Sequence, residues 1–253
     1  MTEHIGGRNP VLEALRSGRT VDTIYFAEGI RETGVREIRR LAQQRGVVLQ
    51  TVPRRKLDEL FGTPHHQGVV ARVSPYTYLE LEDLLQQLQG RENPPFLILL
   101  DGIEDPHNLG SILRTGDAVG IDGVIIPKRR SVGLTQTVAK VSTGAVEYVP
   151  VVRVNNVARC IERLQQDGIW VIGTDPAAGQ VYTEAAYDMP IALMIGGEGK
   201  GLSRLAREKA DFLVRLPMVG HVNSLNASVA AAVLMYEVFR QRHLAKGVGG
   251  QKG

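Results

Sequence analysis

Three stretches of the 253-residue chain carry polar side chains at spacings that packing alone does not ask for. In DPHNLGSILRT, Asn108, Ser111 and Arg114 stand three apart on a segment patterned as a helix, directly after an apolar run. In IALMIGGEGKGLS, Glu198 sits in a loop with four glycines in six residues. In LPMVGHVNSLNASVAAAVLMYE, Ser224 or Asn226 stands where a long helix begins. An amide and a guanidinium at the carboxyl end of a strand suit a ribose or a phosphate: the planar fork of arginine matches phosphate oxygens, and a helix N-terminus favours anions. Taken singly, Asn108 reads as a helix cap and Arg114 as a surface cation. Their combination in one loop points to anion or ribose binding. His107 is a candidate switchable base, although a lone loop histidine is more often exposed or simply hydrogen-bonded. Glu198 is a candidate site carboxylate, with capping of the helix GLSRLAREK as its competing role. Asp101, Glu104 and Asp105 lack the spaced partners of a metal set and read as charge at a helix N-terminus, so no metal is expected.

These loops need a scaffold, and the sequence from residue 96 onward supplies one. FLILLDG, GVIIP, EYVPVVRV, WVIGTD, IALMIGG and FLVRLPM are short apolar runs, most of them separated by helical stretches. Continuous apolar strands alternating with helices predict a parallel sheet covered on both faces. Ligands then lie beyond the carboxyl ends of the strands, in the loops after Leu100, Gly173, Ile195 and Leu216. The glycine-rich loop fits neither common phosphate motif. A P-loop would need glycine at Met194 and Ser or Thr at Gly201, and the even spacing of Gly197, Gly199 and Gly201 breaks the dinucleotide fingerprint. Kinase, ATPase and dehydrogenase chemistry are therefore disfavoured. The helix over residues 227–236 is apolar nearly all round and must be covered on more than one side, by a central position, a homodimer interface or both.

The first 73 residues alternate helix and strand signals in a smaller α/β unit rich in arginine. Asn9 is expected to cap a helix with Pro10 at its first position and Gly18 past its end. The boundaries expected are 1–75 for this unit, 76–95 for a linker with one amphipathic helix, 96–245 for the sheet domain and 246–253 for a flexible tail. A net charge of +3 permits a nucleic-acid partner without demanding one. The single cysteine, Cys160, reads as an apolar filler and excludes an intrachain disulfide framework, which makes a reducing cytoplasm the expected location. No apolar run reaches the length of a membrane span, and MTEHIGGRNPVLEAL has no apolar signal core.

NLGSILRT, GGEGKGLS and SLNASVAAAVLMYE, in this order and near these spacings, resemble the three signature motifs of the SpoU/TrmH methyltransferases of the knotted SPOUT class. The resemblance covers roughly residues 96 to 243. IGGRNPVLEAL and HHQGVVARV are similar to the RNA-binding N-terminal domain of the RlmB-type branch, which methylates a guanosine 2′-hydroxyl in the peptidyl-transferase P-loop of 23S rRNA. The resemblance implies an α/β fold: a C-terminal parallel-sheet domain with a deep trefoil knot, plus a small N-terminal α/β RNA-binding domain. It implies S-adenosylmethionine as cofactor, with Gly196 and Gly197 packing backbone against it, Leu216 and Leu225 cradling the adenine, and Thr174 nearby. It implies that Arg114 helps activate the hydroxyl, that Asn108 and Asn226 position the nucleotide, and that Glu198 orients Arg114 or shares the proton. Arg8 and Asn9 are implied RNA contacts, and the family's dimer forms through the knot helices. Within the class, a tRNA 2′-O-methyltransferase and an antibiotic-resistance rRNA methylase share the catalytic half. A non-catalytic RNA-binding assembly factor would require a decayed site, whereas Asn108, Arg114, Glu198 and Asn226 are all present.

Overall fold

The computed structural model describes residues 3–16, 19–74, 76–221 and 224–244. Its packing divides into two units, Met1–Tyr78 with Gly133–Gln136, and Leu79–Val132 with Thr137–Gly253.

The first unit runs β1 (Glu3–Gly6), α1 (Arg8–Arg16), β2 (Val21–Ala27), α2 (Arg36–Gln44), β3 (Val48–Val52), α3 (Arg54–Phe61) and β4 (Val69–Val73). The sheet order is β1-β4-β2-β3, with β2 and β3 parallel and the other pairs antiparallel. Strand alternation sorts the core into two layers. Ile24, Phe26, Val69, Ala71 and Val73 pack with Val11 and Leu15 of α1 and Ile38 and Ala42 of α2. Ala27 and Val70 point the other way and meet Leu57 of α3. The sequence reading missed β1, four residues with no alternation, and therefore misplaced the start of α1. The chain turns out of β1 through Gly7, at φ 102°, whose carbonyl accepts the Val11 N–H. Gly7 thus takes the cap position, and Asn9 lies inside the helix. Gly18 falls outside the described residues.

The second unit continues α4 (Leu81–Leu88), β5 (Phe96–Asp101), α5 (Pro106–Val119), β6 (Gly123–Pro127), α6 (Gln136–Val141), β7 (Val151–Val154), α7 (Val157–Gln166), β8 (Trp170–Thr174), β9 (Gln180–Val181), β10 (Ile191–Gly196), α8 (Arg204–Lys209), β11 (Phe212–Arg215) and α9 (Ala227–Phe239). Seven strands pair in the order β7-β6-β5-β10-β8-β11-β9, every neighbour parallel, as the apolar runs predict. EYVPVVRV gives a strand only at Val151–Val154; a 3-10 turn at Ala145–Glu147 occupies its approach. One face of the sheet, with Leu97, Leu99, Ala192 and Met194, is covered by Leu84, Leu85 and Leu88 of α4, Cys160, Ile161 and Leu164 of α7 and Ala206 of α8. α5 and α9 pack on each other, and α9 packs on β10.

The far end of α9 is pinned. Arg240 donates twice to the buried Glu237 carboxylate, and Gln241 donates to it once more. Arg242, in the π-turn Arg240–Leu244, donates to the carbonyls of Pro94, Pro95, Tyr187 and Met189 at 2.7–3.2 Å. Among the described residues no helix is long and apolar enough to cross a membrane.

Candidate active site

The cap of α9 sets the geometry of the site. Asn226 is its N-cap: Oδ1 accepts the backbone N–H groups of Ser228 and Val229 and the Ser228 hydroxyl. That fixes which side of the amide faces outward, because the NH2 group cannot meet those donors. Nδ2 then donates to Asn108 Oδ1 at 2.9 Å and to Glu198 Oε1 at 2.6 Å. With its oxygen so used, Asn108 turns its own Nδ2 to Glu198 Oε1 at 3.0 Å. Three residues 28 to 118 positions apart in sequence thereby close one cycle. Glu198 Oε2 takes no hydrogen bond among the described residues.

This settles several sequence expectations. Asn108 does not cap α5. Asp105 does, accepting the His107 N–H at 2.9 Å, with Pro106 opening the helix, so Asn108 lies in the first turn and is buried. Glu198 does not cap α8, whose cap position is Ser203. No hydrogen bond or ion pair joins Glu198 to Arg114 among the described residues; Glu198 Oε1 is taken by the two amides. Arg114 is exposed and has no hydrogen-bond or ion-pair partner among the described residues. Asn108, Ser111 and Arg114 also do not form a single face. At 100° per residue each step of three drifts by about 60°, so Arg114 lies about 120° round the helix and about 9 Å along it from Asn108. Burial follows that drift: Asn108 is buried, Ser111 half-buried and Arg114 exposed.

The glycine loop is held by Asp101, which the sequence reading had assigned to helix charge. Its carbonyl accepts the Gly197 N–H at 2.9 Å, and its carboxylate accepts the Ser203 N–H at 2.7 Å. A Cβ on Gly196 would strike the backbone of Gly201 and Leu202, and one on Gly197 the carbonyl of Gly102. The close backbone approach expected at these glycines is thus met first by the chain itself. Among the described residues no cluster of His, Cys, Asp and Glu could hold a metal ion.

Three of the remaining cofactor candidates lie at the carboxyl ends of neighbouring strands. β10, β8 and β11 are neighbours in the sheet. Gly196 ends β10, Thr174 ends β8 and donates to the Met194 carbonyl at 3.2 Å, and Leu216 follows β11. Leu225, exposed, precedes the Asn226 cap. These four positions carry no charge, and two of them are leucines.

Sequence reasoning missed a second feature. A cavity of about 880 Å³ opens where the loops after β5, β6 and β7 meet the glycine loop, with Asn108 and Glu198 in its wall. Arg129, Arg130, Asn155 and Lys200 line it too. The run Lys128-Arg129-Arg130, directly after the apolar GVIIP, was the available signal. In the first unit, Arg8 is half-buried with its guanidinium against Gly34, while Asn9 is exposed. Many basic side chains there have local partners: Arg16 with Glu37, Arg39 with Glu32, Arg55 and Lys56 with Glu59. Cys160 is buried, and burial pushes its thiol up to about 12, as befits a core residue.

Residues 95–236 match the SpoU rRNA Methylase family, and residues 4–79 match the RNA 2′-O ribose methyltransferase substrate-binding family. The chain is 53% identical to a Staphylococcus haemolyticus protein named "Putative TrmH family tRNA/rRNA methyltransferase", over 94% of this chain and 96% of that one. It is 52% identical to the Bacillus subtilis protein named "Putative TrmH family tRNA/rRNA methyltransferase YacO", over 95% and 96%. The structure of the SpoU methyltransferase AviRb from Streptomyces viridochromogenes in complex with AdoMet superposes with a TM-score of 0.59 at 26% identity, covering 94% of this chain and 90% of that one. Three motifs closing one hydrogen-bonded cycle, on a sheet of the same architecture, agree with these matches: the chain belongs to the SpoU rRNA methylase family.

Proposed function

We propose that this protein transfers the methyl group of S-adenosylmethionine to a ribose 2′-hydroxyl of RNA, at a guanosine in the peptidyl-transferase P-loop of 23S rRNA. The cycle of Asn108, Glu198 and Asn226 carries the reading, because it brings the three motifs to one place. The substrate-binding match over residues 4–79 supports RNA as the partner. The relatives' names include tRNA as well as rRNA, so tRNA is the second reading.

The cofactor, when bound, supplies a methyl group already activated on a sulfonium, which leaves the protein to align the ribose oxygen and dispose of one proton. Asn108 and Asn226 hold Glu198 in one orientation. Glu198 Oε2, with no bond of its own, is placed to accept a proton or a hydroxyl. Arg114, exposed and without a partner among the described residues, is available to take a phosphate and stabilise a developing alkoxide. A free guanidinium has a pKa above about 12, so a clamp is physically easier for Arg114 than a general base. Its angular separation from Asn108 favours service to the neighbouring protomer's site.

The protein acts as a homodimer through the knot helices, with α9 at the interface, in this reading. α9 buries Ala231, Leu234, Met235 and Val238 in its own unit, yet leaves Val229, Val233 and Tyr236 exposed in a stripe spaced by four and three residues. Such a stripe is what a second copy would cover. The domain division at about residue 75, the connecting segment 76–95, the deep knot and a cytoplasmic location belong to the same reading. Arg8 and Asn9 are assigned to RNA contact, and Thr174, Gly196, Gly197, Leu216 and Leu225 to the cofactor.

The test is tritium transfer from labelled S-adenosylmethionine to unmodified 23S rRNA, with tRNA alongside, for wild type and Arg114→Ala. Label mapped to an rRNA ribose and lost in the variant supports the reading. Label on tRNA alone keeps the chemistry and replaces the substrate. No label on either, with cofactor still bound by calorimetry, points instead to an assembled-particle substrate or a binding-only role.

A further inference from the structure

We infer that the cavity at the carboxyl ends of β5, β6 and β7 is a second substrate site, which takes an unstacked nucleotide flanking the target ribose and grips its phosphates with Arg129, Arg130 and Lys200. The inference rests on the RNA methyltransferase reading and adds a place for the strand to go.

The cavity is distinct from the positions assigned to the cofactor. Of Thr174, Gly196, Gly197, Leu216 and Leu225, only Gly197 lines it. It nevertheless shares Asn108 and Glu198 with the cycle, so whatever fills it lies next to the reacting ribose. Its volume of about 880 Å³ is within the usual range for sites that bury a ligand of nucleotide size. A duplex is too wide to enter such a pocket, whereas a splayed single-stranded nucleotide fits.

The charged groups in the wall are unequally engaged. Two acidic groups are occupied by the fold: Asp101 holds the Ser203 N–H and Asp105 the His107 N–H. Glu198 is taken on one oxygen by two amides. The cations are not occupied. Arg129, Arg130 and Lys200 are exposed and have no hydrogen-bond or ion-pair partner among the described residues. They come from two different loops and converge on one cavity, so they are not the solvated face of one helix. Glu104, exposed and also unpaired, and Asn155 add an acceptor and an amide of the kind that read base edges.

The β6 loop is also built to present its pair. Arg130 sits at φ 55°, in the left-handed region that non-glycine residues rarely adopt. The turn is closed on both sides: the Ser131 hydroxyl donates to the Pro127 carbonyl, and the Val132 N–H donates to the Ile103 carbonyl at 2.9 Å. A backbone held in a costly conformation, with two adjacent unpaired guanidinium groups, marks a constrained presentation rather than a slack surface loop.

The test uses the full-length protein with Arg129→Ala, Arg130→Asn and Lys200→Ala combined. Asparagine tolerates the left-handed region, so position 130 stays unstrained. Binding of unmodified 23S rRNA transcript is measured by fluorescence anisotropy across a salt series, beside the methyl-transfer assay and calorimetric cofactor binding. Each lost phosphate contact on a single strand lowers the salt slope by about 0.7, so the triple variant is expected to lose about two units of slope. Its KM for RNA should rise about tenfold more than kcat falls, with cofactor affinity and melting temperature unchanged. Arg129→Lys should retain the wild-type slope and Arg129→Glu should not, an outcome that a purely structural role would not give. An unchanged slope and KM in the triple variant overturns the inference while leaving methyl transfer intact. Absence of methyl transfer in the wild type sinks the broader reading instead, and the slope still decides the cavity. Saturable binding of free ATP or GTP that the triple variant abolishes would assign the cavity to a nucleotide and overturn RNA.

Discussion

Asn108 and Arg114 stand less than two turns apart on α5, yet the fold treats them in opposite ways. Asn108 is buried, doubly bonded and oriented by a chain of constraints that starts at the cap of another helix. Arg114 is exposed and bonded to nothing among the described residues. One belongs to a hydrogen-bonded frame, and the other is the residue to which the proposed function assigns a phosphate. A related division recurs at the cavity, where Asp101 and Asp105 are tied to backbone while Arg129, Arg130 and Lys200 have no partner among the described residues. In this site the fold engages the amides and part of the acidic charge in advance and leaves the cations without partners among the described residues.

Arg114→Ala gives the sharpest test, and the largest expected effect. Methyl transfer should fall about 10²–10³-fold, the usual cost of removing one donor to developing negative charge, while the melting temperature stays put. Arg114→Lys should restore little, because a point charge does not reproduce the bidentate fork. Loss of stability in Arg114→Ala would break the comparison. Asn226→Ala should lower stability as well as activity: it removes a helix cap and two donated bonds at once and costs about 2 kcal/mol in chemical denaturation. Asn108→Ala should cost about 1–2 kcal/mol by leaving neighbours unmet in a buried position, and the double variant should lose less than the sum. Strict additivity would show that the cycle does not act as a unit.

A smaller effect tests the other end of α9. Hydrogen bonds from Arg240 hold the Glu237 carboxyl below its ordinary value, against the opposing effect of burial. Its contribution to stability is therefore complete above the ordinary carboxylate pKa of about 4.3 and fades as the pH falls through the lowered folded value. Glu237→Gln should lower the melting temperature by about 1–3 °C at pH 7, and the difference from wild type should shrink steadily below pH ~4. A difference that grows on acidification would contradict that assignment. Smallest of all, iodoacetamide at pH ~8 should leave native Cys160 unlabelled and label it only after denaturation, since a buried thiol with its pKa near 12 offers almost no thiolate.

Much of this organisation is legible in the sequence, and the parts that are not have a common cause. Continuous apolar runs gave the parallel strands because a sheet covered on both faces leaves no polar alternation to confuse the pattern. Motif order located Asn108, Glu198 and Asn226. Their roles were harder to read, because a polar residue near a helix start looks the same as a cap or as a site residue. Only the structure shows Asp105 taking the cap of α5 and releasing Asn108. β1 escaped because four residues carry too little periodicity, and the error passed on to the start of α1. The cavity escaped because its wall comes from four loops separated by up to about a hundred residues, and no local pattern records that Arg129 and Lys200 face one space.

The Arg242 clasp has a consequence for the order of events at synthesis. The carbonyls of Pro94 and Pro95 precede β5, the first large-sheet strand to be made, and they wait for a side chain that lies almost 150 residues downstream. A ribosome working from N- to C-terminus releases residues 1–78 long before it releases Arg242. The substrate-binding unit therefore has most of its chain early, while the methyltransferase unit cannot fasten its last helix until translation is nearly over. Truncation just before residue 242 should thus yield a chain that retains a folded first unit and a second unit unfastened at its last helix, which pulse proteolysis of stalled nascent chains would reveal.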